Sequence, residues 1–182
     1  MSSTGAMQSI RPYLVGFVLL LSATCVSASA APLSSSSRIG PRGVGPIVFG
    51  VAQRQAVETG TRFTLSKPST GSTCFMLYPR TPAGLAFMVE NGSIRRAEVT
   101  GKTIASVDGF RVGDSGATLL RFYGQRARLS PNKYDPKVEM AVIEPKSSAD
   151  AKYRMTYSLK NGAVQTIVAG LLPQVAYVEG CS

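Results

Sequence analysis

Phe110–Gly124 reads FRVGDSGATLLRFYG, and the fold follows from how this stretch is parsed. Asp114 or Ser115 can cap a helix, because a short side-chain oxygen accepts hydrogen bonds from the free N–H groups of a first turn. Leu119, Leu120, Phe122 and Tyr123 supply an apolar stripe, and Gly124 is free to take the left-handed conformation that ends a helix. Ile47–Gly60, IVFGVAQRQAVETG, repeats the layout, with Gly50 standing for Gly113 and Gly60 for Gly124. Its stripe, Ala52, Ala56 and Val57, is thinner. No acid or hydroxyl directly follows Gly50, so this helix is expected to be the weaker of the two.

Each helix precedes an apolar run that meets a proline: Cys74–Pro79, CFMLYP, and Met140–Pro145, MAVIEP. Short apolar runs ended by a breaker fit central strands. Each half then holds a hairpin, Leu85–Val99 (LAFMVENGSIRRAEV) and Met155–Ala169 (MTYSLKNGAVQTIVA). Asn-Gly suits a two-residue type I′ turn, whose two positions need positive φ. With Asn91-Gly92 as the turn, Val89 and Ile94 share a face with Phe87. With Asn161-Gly162, alternation puts Leu159 and Val164 on a face with Tyr157, Met155 and Val168.

The offsets between matched features are 63 and 64 for the glycines, 66 for the prolines and 70 for the turns. They grow in one direction, as loops lengthening in a second copy would make them. The sequence therefore predicts an α+β fold of two tandem units, approximately 45–103 and 104–182, with a weak internal duplication. Each unit is one short helix with three or four antiparallel strands. Neither is large enough to bury its own sheet face, so the two are expected to share a core as one domain, 45–182. Residues 31–44, rich in serine, glycine and proline, are expected to be a flexible lead-in.

The first thirty residues read as a signal peptide. Arg11 gives the positive region, Tyr13–Ala23 the apolar core, and Ala28-Ser29-Ala30 the small-x-small pattern, with cleavage expected after Ala30 or alternatively Ala28. A spanning helix needs roughly 20 apolar residues, and the apolar core is shorter. Cys25 raises a lipid anchor, but Thr24 before it and Leu21 one place too far upstream fit that motif poorly. No later segment is apolar enough to span a bilayer. Arg11 leaves with the signal and no acidic residue does, so the net charge falls from +10 to +9. Cys74 and Cys181 remain, and in an oxidising compartment they can make one bridge; two buried thiols are the alternative.

The chain has no histidine, which removes Ser-His and Cys-His catalysis and the commonest metal ligand. No spacing marks a carboxylate pair as acid and base. Asp108 and Asp114 flank glycines and suit turns and caps. Ser158 and Lys160 would point to the same, exposed side of one strand and read as surface groups. Neither GVG at Gly43–Gly45 nor GDSG at Gly113–Gly116 has phosphate-loop spacing. No enzyme and no cofactor is expected. Positive charge is the strongest remaining signal. Arg95 and Arg96 follow one hairpin turn, and Tyr123–Lys137, YGQRARLSPNKYDPK, mixes Arg121 just before it with Tyr123, Arg126, Arg128, Lys133, Tyr134 and Lys137. Loops between a helix and a strand concentrate interaction residues, so these seven are the candidate binding residues. A basic protein in the cytoplasm would suggest nucleic acid; an exported one meets other polyanions instead.

GVGPIVFG (43–50), GFRVGDSGATLLRFYG (109–124), NKYDP (132–136) and EGCS (179–182) together resemble a group of uncharacterised exported bacterial proteins of similar length. More loosely, a glycine-led helix followed by antiparallel strands is similar to the small outer-membrane assembly lipoproteins of the SmpA/OmlA type and to the β-lactamase inhibitory proteins. Those resemblances imply a protein that presents a surface to another protein. The chain departs from both, lacking a convincing lipidation site and showing one helix per unit. The expectation is a periplasmic or secreted, non-enzymatic binding protein whose basic surface meets an envelope or secreted protein partner, inhibitor-like or an assembly factor. An anionic polysaccharide or lipopolysaccharide, or a lipid headgroup, is the alternative ligand.

Overall fold

The computed structural model describes residues 1–2, 31–68 and 70–181, so the expected signal peptide beyond Ser2, and Cys25 with it, lies outside the described residues. The chain runs through β1 (Arg38–Gly40), β2 (Gly43–Val44), β3 (Ile47–Val48), α1 (Gln53–Glu58), β4 (Phe63–Leu65), β5 (Cys74–Pro79), β6 (Leu85–Glu90) and β7 (Ser93–Val99). It continues with β8 (Ala105–Ser106), α2 (Gly116–Tyr123), β9 (Ala127–Pro131), β10 (Val138–Ile143), β11 (Tyr153–Lys160) and β12 (Ala163–Leu171). The fold is α+β.

Eight strands make one antiparallel sheet in the order β4-β5-β6-β7-β12-β11-β10-β9. This is two four-strand meanders, each preceded by its own helix. They join where β7 meets β12, with Val99 opposite Ile167 and Arg96 opposite Gly170.

Each helix lead-in is bonded to the hairpin of its own half by the same set of contacts. Gly50 N–H donates to Ile94 O at 2.7 Å, and Gly113 N–H to Val164 O at 2.8 Å. Ile94 N–H returns to Val51 O at 3.0 Å, and Val164 N–H to Asp114 O at 2.9 Å. Gln53 N–H reaches Gly92 O at 3.0 Å, as Gly116 N–H reaches Gly162 O at 2.8 Å. The lead-in must turn sharply to make these bonds. Gly50 and Gly113 have φ of 93° and 97°, a conformation that side chains disfavour.

Both hairpins turn on Asn-Gly with positive φ at both residues, as expected. Both also carry a bulge in the same place. Val89 pairs with Ile94 but Met88 with Arg96, which leaves Arg95 extra; Leu159 pairs with Val164 but Ser158 with Thr166, which leaves Gln165 extra. An extra residue reverses the facing of everything beyond it. Ile167, fully buried, therefore joins Tyr157 on the core face, and Val168 goes to the other side, against the plain alternation.

The core lies between one face of the sheet and a layer made of α2, α1 and a second, four-stranded sheet, β3-β2-β1-β8. Residues 31–44 differ from the flexible lead-in that composition suggests. They carry β1 and β2, bury Leu33, Ile39 and Val44, and anchor Leu33 N–H on Thr61 Oγ1 at 3.0 Å. Single apolar residues spaced between turns fill a core that a serine-rich composition hides. β1 pairs in parallel with β8, so residues 31–44 share a sheet with a strand of the expected second unit.

The two helices differ as their caps predict. Ser115 Oγ accepts from Thr118 N–H at 3.3 Å and starts α2, eight residues long, which buries Gly116, Leu119 and Tyr123. Phe122, at the end of its expected stripe, is exposed. α1 has no side-chain cap, spans six residues and buries only Ala56. The core face of β4 and β5 is consequently covered thinly.

Candidate functional site

Side chains that do not face the core line the outer face of the sheet: Arg96 and Glu98 on β7, Thr166 and Val168 on β12, Thr156 and Ser158 on β11, Met140 and Val142 on β10. After β12 the chain turns through a short 3-10 segment, Gln174–Ala176, and runs back along this face toward β5. A disulfide, a buried arginine and the Gln174 side chain, which donates to Glu90 Oε2 at 2.6 Å, hold this tail. Cys181 is disulfide-bonded to Cys74, 107 residues away. Arg96, 4% exposed, donates to Gln174 O at 3.1 Å, Tyr177 O at 2.7 Å and Glu179 O at 3.2 Å. Burial pushes the pKa of its guanidinium down and Glu98 opposes that; an arginine remains a cation at physiological pH regardless.

The tail crosses the outer face of the first half toward Cys74, and the outer face of the second half, with Arg96 and Glu98 of β7, is the floor of a groove of about 650 Å³. Val175, Ala176, Tyr177 and Val178 form one wall and Pro131, Asn132 and Lys133 the other. The walls are tied together where Tyr134 OH donates to Glu179 Oε1 at 2.7 Å. On the floor the Ser158 and Thr166 hydroxyls bond each other at 2.6 Å between Met140, Val142 and Val168. Arg154 also lines the groove, and so does Asp135, paired with Lys160 at 2.8 Å. That pairing holds the Asp135 carboxyl below its ordinary pKa. Leu172, Tyr134, Tyr177 and Val178 are exposed on or beside the walls.

The seven candidate binding residues do not form one patch. Tyr123 is buried in the core, where its hydroxyl donates to Asp108 Oδ2 at 2.7 Å and bonds Tyr157 OH at 2.9 Å; it is not a surface residue. Its ring belongs to the apolar stripe by which α2 packs on the sheet. Arg121 is exposed on α2, on the opposite side of the sheet from the groove. Arg126 is stapled to Glu144 O through Nε and a terminal nitrogen, at 3.0 and 2.9 Å. Arg128 is ion-paired with the Glu144 carboxylate at 3.1 Å. Lys133 and Tyr134 stand together at the groove, the ammonium 5.1 Å from the ring centroid, and Lys137 is exposed beyond Asp135.

Sequence reading missed Arg96, Arg154, Thr156, Thr166 and the tail as parts of one site. Alternation in MTYSLK does carry a signal, since Thr156 and Ser158 fall opposite Met155 and Tyr157. Ser158 is buried beneath the groove instead of lying on a solvated face, and its hydroxyl partner is Thr166, not Lys160. Tyr123 and Tyr157 are held protonated, because burial raises the pKa of both. Among the described residues no group of three or more His, Cys, Asp or Glu is placed to hold a metal ion. Among them, too, no helix is long and apolar enough to cross a membrane. What the groove offers is shape, hydroxyls, apolar floor and a few charges, which is the equipment for binding.

No family model matches the chain, and no curated protein does. Among solved structures, the chain is similar to the uncharacterized protein yfeY from Escherichia coli, with a TM-score of 0.51 and 16% identity over 73% of this chain and 99% of that one. An extracellular protein containing a SCP domain from Bacillus anthracis gives a TM-score of 0.43 and 7% identity over 74% of this chain and 47% of that one. The first likeness concerns the fold alone. The chain thus shares an architecture with an uncharacterised bacterial protein.

Proposed function

We propose that this is a binding protein that works outside the cytoplasm without catalysing a reaction, and that its outer-face groove receives a segment of a protein partner. The observation that carries this reading is the groove wall itself. A disulfide and a buried arginine are both spent on holding the chain's tail upright beside an otherwise open sheet face. Tyr134, Tyr177, Leu172 and Val178 stay exposed there, and exposed aromatic and apolar residues clustered around a groove are the usual marks of a protein contact. The disulfide and the signal-like N-terminus support an oxidising compartment. The net positive charge would speed the encounter with an acidic partner, while the packed groove would hold the complex when salt screens that attraction.

Site-directed photocrosslinking tests it. A photoreactive residue in place of Gln165, at the groove, should yield one discrete protein adduct in envelope or secreted fractions. The same residue in place of exposed Thr103 should not. Adducts of equal pattern from both positions, or none from Gln165, would count against the groove. An adduct that forms only at low salt, and with polymer instead of protein, would favour an anionic ligand.

A further inference from the structure

A second concavity lies on the other side of the sheet, in the first half. It follows from the weakness of α1. An uncapped helix with one small buried residue leaves the core face of β4 and β5 partly open, and a cleft of about 820 Å³ results. Its base is apolar: Leu77 is buried, Phe63 half-buried and packed edge-on against Phe87 at 6.1 Å, and Leu65 and Val57 are exposed. Around this base stand Arg54, Arg62 and Arg80, all exposed, against the single carboxylate of Glu58. None of the three arginines has an ion-pair partner among the described residues, although Arg42 and Arg128 do. The Gln53 side-chain oxygen is buried at the cleft with no hydrogen-bond partner; turned over, the same amide presents an N–H donor there.

An apolar trough under a cationic rim is complementary to a ligand with an alkyl chain and an anionic end. Arginine forks match the two oxygens of a carboxylate, and the volume is within the roughly 300–1,000 Å³ of small-ligand sites. The apolar lining runs from exposed Leu65 and Val57 to half-buried Phe63 and buried Leu77, a gradient that a single alkyl chain can follow inward. We propose that the cleft between α1 and β4–β5 binds a single-chain fatty carboxylate, its chain over Leu77, Phe63 and Leu65 and its head group among Arg54, Arg62 and Arg80. The site is independent of the groove and stands or falls apart from it.

The test is displacement of a dansyl-labelled fatty acid from the folded protein by laurate, with dodecanol as the uncharged chain of equal length. Laurate should compete at one saturable site, at least about tenfold more tightly than dodecanol, the difference a charge-assisted pair makes. Arg62→Glu and Arg80→Glu should each weaken laurate by about tenfold or more, while Arg121→Glu, remote and equally exposed, should leave it unchanged. Arg62→Gln replaces the charge reversal if that variant unfolds. Absence of saturable laurate binding, equal affinity for dodecanol, or an equal effect of Arg121→Glu overturns the proposal. So does recruitment to phosphatidylglycerol vesicles that laurate fails to compete, which would make the cleft a membrane-docking face.

Discussion

The guanidinium of Arg96 donates to the carbonyl oxygen of Tyr177 at 2.7 Å, joining the centre of the sheet to a tail 81 residues further along the chain. Two further carbonyls of that tail, Gln174 and Glu179, accept from the same side chain. One residue thus holds up most of a groove wall, and the groove exists because the wall does.

Replacing Arg96 by leucine removes three charge-assisted bonds and leaves their carbonyls to find water. Hydrogen bonds to charged groups are worth about 1.5–3 kcal/mol each, and the relief of a buried cation offsets part of the sum, so a net loss of about 2–3 kcal/mol is expected. Chemical denaturation measures it. Hydrogen exchange should accelerate across 174–179 while β10 and β11 stay protected; unchanged exchange in the tail would show that its other ties hold it without Arg96.

Gly170 faces Arg96 across the β7–β12 junction, and a Cβ there would sit 2.5 Å from Arg96 Cβ and from Arg95 O. Both neighbours are backbone or next to it and have no room to give. Gly170→Ala is expected to destabilise by about 1–3 kcal/mol through overpacking. Equal midpoints of thermal unfolding in the two proteins would refute the close approach.

The Cys74–Cys181 bridge spans 107 residues. Removing a native bridge from a small domain typically costs about 2–5 kcal/mol, and long loops lie toward the upper end. The double variant Cys74→Ser/Cys181→Ser should lose stability in that range and should lose the Gln165 photoadduct. If the adduct persists at full yield, the tail's placement does not depend on the bridge.

Alkaline pH should weaken the fold through the tyrosine pair. Burial raises the pKa of Tyr123 and Tyr157, with Tyr157 and Asp108 adding to the rise at Tyr123. Below about pH 10 the folded and unfolded states hold the same phenolic protons; above it the unfolded tyrosines ionise first, so the unfolded state gains and stability falls as pH rises. Denaturation midpoints measured from pH 8 to 11 should drop beyond pH 10, and Tyr157→Phe should flatten the drop. A slope identical in wild type and variant would place the alkaline sensitivity elsewhere.

Much of the fold was legible because its signals are local. Gly50 and Gly113 mark lead-in turns with positive φ, Asn91-Gly92 and Asn161-Gly162 set two hairpins, and the lack of an acid or hydroxyl directly after Gly50 foretold the thin helix α1. The candidate site was far less legible. Tyr123, Arg126 and Arg128 are adjacent in sequence to Lys133 and Tyr134, yet they are occupied by Tyr157, Glu144 and the core. Composition also hid Ile39 and Val44, single apolar residues among serines and glycines that prove fully buried.

The sequence by itself determined the helices, the turns and the α+β class, since each depends on residues close together in the chain. Tertiary structure decided which side of the sheet each group occupies. A single extra residue at Arg95 and at Gln165 reverses every side chain beyond it, which sends Arg96 outward to meet the tail and Ile167 inward to the core. It also decided that β7 meets β12 and that the tail returns toward β5, contacts between residues some 70 to 107 apart in the chain. Such contacts depend on which burial is most favourable for the whole molecule, and no short window of sequence contains that comparison.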